Sequence, residues 1–292
     1  MLAVVAVVAV VAVVADPDID RLRREASERA SGRPRLPFAG TVGDDTIGTV
    51  PIRRYVPQAD THPDAVVVFL HGGYGVLGDL ELQDAYCRRI AGILRVTVLS
   101  VGYRLAPEAS LAASGDDALA VVGALRDSGT GGIVLWGDSA GGALALAVAR
   151  RAGATALVLT NPNVDLTLRG FDDTATGGPG RELSEWAFAR WAGGGRLHDA
   201  PDLAADVRGL PPVFVAVGST DSLLPDARRL VQRCRDAGAR SELHVVPGAV
   251  HGFMGGSDVA IVEDTIRKAG AFLSSVTDPR SAAPLPGDDP TP

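Results

Sequence analysis

The chain has 292 residues, of which 46% are apolar and 22% charged, and it carries a formal net charge of −7. That length suits one large α/β domain, which buries roughly three-quarters of the surface its unfolded chain exposes, and the composition is ordinary for a soluble globular protein. The negative balance argues against nucleic acid or an anionic membrane as a partner.

Residues 1–15 form a low-complexity tract of alanine and valine (MLAVVAVVAVVAVVA). As a helix it would span about 22 Å, short of the roughly 30 Å hydrocarbon core, so no stable membrane span is expected. No Lys or Arg precedes the apolar run, as a secretion signal requires, although Val13-Val14-Ala15 would suit a signal peptidase. A cytoplasmic location is therefore expected, with secretion or membrane association through the tract as the alternative.

Residues 16–48 are charged and carry one helical pattern at 19–30. The polar run around Arg53, Arg54 and Tyr55 suits an edge strand. From Ile52 onward, apolar runs at 65–70, 96–101, 133–136, 156–160, 213–218 and 242–246 alternate with helical patterns at 82–94, 116–126, 140–150, 225–237 and 259–273. Such alternation predicts right-handed crossovers and a mostly parallel central sheet with helices on both faces. Cys87 and Cys234 fall in the helical patterns without motif spacing, and read as free buried thiols. Residues 165–208 break the alternation, with a glycine-rich start at 170–180 and a helical core around Trp186, Phe188 and Trp191. Together with 16–48 this stretch is expected to form a small helical lid. The main domain is thus expected over 16–277, with residues 278–292 (DPRSAAPLPGDDPTP) a disordered tail.

The strongest chemical signal is Gly137-Asp138-Ser139-Ala140-Gly141, a G-x-S-x-G box between an apolar strand pattern and a small-residue helix. Glycines at 137 and 141 remove the Cβ atoms that would clash in so tight a turn, so the serine hydroxyl projects clear of the sheet. The turn also sets the Ala140 N–H at a helix start, where it can donate to a developing oxyanion. A serine needs a base, and the base needs an acid to hold its tautomer. Of five histidines, His251 lies in a loop past the last strand run, His244 lies inside that run, and His62 and His198 sit in polar segments. Asp221 follows the run ending at Gly218, which yields the chain order Ser139, Asp221, His251 of α/β-hydrolases. Asp226 is the competing acid, though it suits the first turn of the following helix. His71-Gly72-Gly73-Tyr74-Gly75 follows the strand at 65–70, and its glycines can turn backbone N–H groups toward a carbonyl oxygen.

These motifs resemble the hormone-sensitive-lipase-like family of α/β-hydrolase esterases, which includes many bacterial short-chain carboxylesterases. The likeness runs from about Ile52 to Phe272 and includes HGGYGVLGDL (71–80), YRLAPE (103–108), GDSAGG (137–142), GLPPVFVAVGSTD (209–221) and PGAVHGF (247–253). The resemblance implies the α/β-hydrolase fold, Ser139 as nucleophile, His251 as base, Asp221 as its orienting acid, and oxyanion donors at Gly72, Gly73 and Ala140. It implies a small acyl ester as substrate and no cofactor. No His/Cys/Asp spacing suggests a metal site, and oligomeric state is not encoded in any motif. An amidase or formamidase on the same triad, or a non-catalytic binder of small molecules, are the alternative functions. The chain departs from the family pattern at Tyr74 and Gly75, which reverse the usual glycine and aromatic. It departs again at Gly102 and at Ala109-Ser110-Leu111.

The alanines at 3, 6, 9, 12 and 15 recur with a period of three, which on a helix drifts about 60° per repeat and cannot keep one face on a core. Deleting residues 1–15 is therefore expected to leave kcat within a few-fold and to improve solubility, measured by steady-state kinetics and soluble yield. A large loss of activity would make the tract part of the site.

Overall fold

The computed structural model describes residues 17–32, 35–256 and 258–277; the alanine/valine tract 1–15 and the tail 278–292 lie outside the described residues. Six apolar runs become the parallel strands β3 (Ala65–Leu70), β4 (Thr97–Val101), β5 (Gly132–Asp138), β6 (Ala156–Thr160), β7 (Val213–Gly218) and β8 (Ser241–Val246). With β1 (Gly40–Ile47) and β2 (Val50–Pro57) they form an eight-stranded sheet in the order β1-β2-β4-β3-β5-β6-β7-β8. Only β2 runs against the rest, antiparallel to both β1 and β4.

The strands are apolar on both sides because both sides are covered. Val66, Val68 and Leu70 of β3 join one core with α3 (Leu111–Asp127), α4 (Ala140–Ala152) and α6 (Leu224–Asp236). The intervening Val67 and Phe69 join the other, with α2 (Asp84–Leu94) and α7 (Val259–Thr277). Strand periodicity of two thus divides each strand between two cores. After β4 the chain crosses back over β3 to start β5, so the carboxyl ends of β3 and β5 open a crevice where the strand order reverses. Open α/β sheets bind ligands at such a point.

Two helices flank that crevice. In α1 (Ile19–Ser31), Asp18 caps the N-terminus by accepting the Arg21 N–H. Arg23 then donates to the Val76 and Ala106 carbonyls and forks onto Glu108. In α5 (Arg181–Trp191), within the stretch 165–208, Phe188 and Trp191 are fully buried.

Local chemistry moves two expected boundaries. Apolar periodicity starts the third helix at 116, whereas Ser110 accepts the Ala113 N–H and starts α3 at Leu111. The run around Arg53 is not an edge strand. β1 covers it, drawn from the charged stretch 16–48 and joined by a turn at Gly48. β1 is exposed along almost its whole length, so no apolar pattern marks it. Arg53 is consequently buried, and its guanidinium meets Asp44 of β1, Glu81 and Asp84.

Removing Arg53 takes a charged partner from Asp44, Glu81 and the buried Asp84, although Asp84 keeps Arg88 and Glu81 keeps Arg35, and it empties a buried guanidinium's place between β1 and α2. Arg53→Ala is therefore expected to cost about 3 kcal/mol, a fall of roughly 6–12 °C in Tm for a domain of this size. A shift below about 2 °C in a thermal melt would mean that these pairs merely break even with hydration.

Candidate active site

β5 ends at Asp138 and α4 begins at Ala140, leaving Ser139 alone to turn the chain. It does so with φ 53° and ψ −116°, a region that L-residues rarely occupy and that costs on the order of 1–3 kcal/mol. The turn is pinned by the Ser139 N–H donating to the Thr160 carbonyl (2.8 Å) and by the Gly142 and Asn163 N–H groups donating to the Ser139 carbonyl. A Cβ on Gly141 would run into the Leu70 carbonyl, and one on Gly137 into the Gly141 carbonyl. The two glycines of the box thus let the turn lie directly on the end of β3.

Ser139, His251 and Asp221 meet across three loops. Ser139 Oγ lies 2.8 Å from His251 Nε2, and His251 Nδ1 lies 2.9 Å from Asp221 Oδ2. The carboxylate can only accept, so Nδ1 carries the proton and Nε2 faces the serine hydroxyl with its lone pair. Asp221 is buried, and its other oxygen accepts the Leu223 N–H at 3.0 Å. Ser139 Oγ also approaches Asn163 Oδ1 at 3.3 Å, a neighbour that no motif announced.

Asp226 lies elsewhere. It pairs with Arg229 at 3.1 Å, in a group that includes Asp165 and Asp202, and burial pushes its carboxyl up. Among the other histidines, His62 and His198 are exposed, and His244 sits in β8 4.0 Å from Asp264. His71 is buried and stacked on Tyr103 with ring centroids 4.3 Å apart. Its Nδ1 donates to the Gly72 carbonyl at 2.7 Å, and burial lowers its pKa, which keeps the ring neutral.

The loop after β3 corrects one expectation. The Gly72 N–H donates to Gln83 Oε1 at 2.8 Å, so it is engaged by a side chain and not free for an oxyanion. The next three residues all have positive φ: Gly73 at 119°, Tyr74 at 60° and Gly75 at 75°. Among the described residues neither the Gly73 nor the Tyr74 N–H has an acceptor. The Ala140 N–H, first in α4, has no preceding helical turn to accept it. Gln83 in turn donates from Nε2 to Asp138 Oδ2 at 2.6 Å, while Thr160 Oγ1 donates to Asp138 Oδ1. Burial pushes the Asp138 carboxyl up, and the hydrogen bonds from the Thr160 hydroxyl and Gln83 pull it part of the way back down.

The glycine-rich segment within 165–208 is laced to the loops that carry Asp221, His251 and Tyr74. Gly177 donates to the Thr220 carbonyl and accepts the His251 N–H; Asp172 donates to the Ser222 carbonyl; Gly180 donates to the Tyr74 hydroxyl at 3.3 Å. A side chain on Gly177 or Gly178 would strike Thr220, Val250 or Ser222. The reversed Tyr74-Gly75 pair also finds its reason here. The Trp191 ring occupies the space that a side chain at 75 would need, and its Nε1 donates to Ser114 Oγ at 3.0 Å. Similarly, a Cβ at Gly102 would stand 3.2 Å from the Pro51 carbonyl oxygen.

A cavity of about 830 Å³ opens at the opposite, amino-terminal edge of β3 and β5, between α2 and α7. Ser139, Asp221, His251 and the loop at 71–75 do not line it, whereas the exposed His62 does, so the cavity is not part of this site. Among the described residues no helix is long and apolar enough to cross a membrane.

Comparison with known proteins agrees with this geometry. Residues 67–255 match the alpha/beta hydrolase fold family. The chain is 33% identical to the esterase LipI of Mycobacterium tuberculosis over 266 residues, covering 82% of either chain. It is 28% identical to the ethyl acetate hydrolase of Pseudomonas putida, covering 70% of this chain and 72% of that one. A crystal structure of an esterase from the bacterial hormone-sensitive lipase family superposes with a TM-score of 0.76 at 26% identity, covering 89% of this chain and 91% of that one. Because the likeness spans the sheet together with the loops that carry Ser139, Asp221 and His251, this chain belongs to the hormone-sensitive-lipase-like family of α/β-hydrolases and is a carboxylesterase-type enzyme.

Proposed function

We propose that the chain hydrolyses short-chain acyl esters, with Ser139 as nucleophile, His251 as base and then acid, and Asp221 as the carboxylate that orients His251. The observation that carries this reading is the unbroken run from Ser139 Oγ through His251 to Asp221, at 2.8 and 2.9 Å. Ser139 Oγ attacks the ester carbonyl carbon as its proton passes to His251 Nε2. The C–O bond to the alcohol then breaks, and the alcohol leaves with that proton. A water deprotonated by His251 attacks the acyl-enzyme, and the acid departs as Ser139 regains its hydrogen. Each tetrahedral intermediate places negative charge on the former carbonyl oxygen. Donors for it are the Gly73 and Ala140 N–H groups, with the Tyr74 N–H beside them. The chemistry calls on no cofactor.

The lid and the acyl preference belong to the same proposal. In this reading α1, bonded through Arg23 to Val76, and residues 165–208, bonded to the loops of Asp221, His251 and Tyr74, form the lid over the crevice. A covered site of this kind takes a small ligand whole. Among the described residues the exposed large apolar side chains are Val250 and Val259, too few to form a lipid-adsorbing face. Cys87 and Cys234 are free and buried, which suits a reducing compartment, and the proposal places the enzyme in the cytoplasm.

Ser139→Ala is expected to lower kcat by up to about 10⁶-fold and to abolish fluorophosphonate labelling, with substrate binding largely kept. Asp221→Asn should cost roughly 10⁴-fold by leaving His251 in the wrong tautomer, whereas Asp226→Asn should change Tm more than kcat. Labelling of Ser139→Ala at the parent rate would sink the assignment, and a reversal of the two aspartate effects would move the orienting role to Asp226.

Across a series of p-nitrophenyl esters, kcat/KM should peak at acyl chains of about two to six carbons, because the pocket must close around its ligand. Interfacial activation on emulsified long-chain triglyceride would contradict the short-chain reading.

A further inference from the structure

We propose that Gln83 is a positioning residue of the oxyanion loop, tying the Gly72 backbone to Asp138 so that the Gly73 and Tyr74 N–H groups keep register with the nucleophile elbow. The inference rests on the reading of Ser139 as nucleophile. Gln83 immediately precedes α2, where a side chain commonly caps the helix, yet it makes no cap hydrogen bond. Its amide is turned the other way, Oε1 accepting the Gly72 N–H at 2.8 Å and Nε2 donating to Asp138 Oδ2 at 2.6 Å.

The two ends of that tether are the two halves of the site. Gly72 is followed by three positive-φ residues that belong to no helix or strand, so their direction depends on tethers. Asp138 is bonded to Ser139 in the chain, and its second oxygen is held by Thr160. The halves are also pressed together, since a Cβ on Gly72 would stand 3.2 Å from Ser139 Cβ. A neutral amide supplies both an acceptor for an N–H and a donor for a carboxylate at that separation, which an ionised glutamate there would not. Tyr86, one helical turn further along α2, receives the Trp136 Nε1–H at 2.7 Å and reaches Thr160 Oγ1 at 3.4 Å. The same face of α2 therefore supports both oxygens of Asp138.

An oxyanion donor acts in the transition state, and losing one costs about 10²–10³ in kcat; a displaced donor should cost less. Gln83→Leu is expected to lower kcat by about 10- to 100-fold with KM within about twofold. The Ki of a trifluoromethyl ketone, whose hemiketal places an oxyanion in the hole, should rise in step with the loss of kcat. Exchanging the two groups, Gln83→Glu with Asp138→Asn, keeps every donor paired with an acceptor. It should restore both kcat and Ki to within about fivefold of the parent, whereas Gln83→Glu alone should not. An unchanged Ki, a rise in KM with kcat kept, or an exchange no better than Gln83→Glu alone would overturn the proposal. If Gln83→Leu fails to fold, the single and exchanged Glu variants give the same test. Failure of the nucleophile reading is separate, because the ketone would then not inhibit the parent enzyme at all.

Discussion

The site depends on one close approach, that of the Ser139 turn to the carboxyl end of β3. At Gly141 the turn lies directly on the Leu70 and His71 carbonyls, and at Gly137 it lies on its own helix. No side chain larger than hydrogen fits either place. That contact sets Ser139 beside the loop that begins at His71, so two segments nearly 70 residues apart become one surface. The strain of a non-glycine residue at φ 53° is on the order of 1–3 kcal/mol and must be offset by the hydrogen bonds to Thr160, Gly142 and Asn163.

Behind that contact the polar groups around Asp138 are paired with one another, which is what a buried carboxylate requires. Asp138 is buried without a cation beside it, and it is satisfied instead by Thr160 and Gln83. Trp136 and Tyr86 extend the pairing into the core shared by α2 and α7. The chemical groups therefore sit on a rigid base, and their placement is a property of the sheet and α2 together. On the outer side, the segment around Gly177 is bonded to the acid loop, the base loop and Tyr74. A segment with so many backbone bonds to the loops of Asp221 and His251 straps them together.

Much of the architecture was legible in the chain. The runs at 65–70, 156–160 and 213–218 coincide with β3, β6 and β7, because strands covered on both faces must be apolar throughout. The serine box, Asp221 and His251, which the structure brings within hydrogen-bond reach of one another, stand out in the chain for a different reason: each lies within a few residues of a strand's end, and strand ends show in the composition. β1 was not legible, since an exposed edge strand carries no periodicity, and with it the burial of Arg53 was misjudged. The start of α3 was missed because its determinant is a single cap, Ser110.

The sequence by itself determined the alternation of strands and helices from β3 onward, the tight turn at Ser139 and the chain order Ser139, Asp221, His251. These follow from local sterics and from which residues can be buried, both readable over a few positions. Tertiary structure alone decided which N–H groups are free. Gly72 and Gly73 are the same residue type side by side, yet one is engaged by Gln83 and the other is not. Tertiary structure likewise separated Asp221 from Asp226, five residues apart, by packing His251 against the first and Arg229 against the second. A hydrogen bond is specified by the positions of both partners, and the second partner lies far away in the chain.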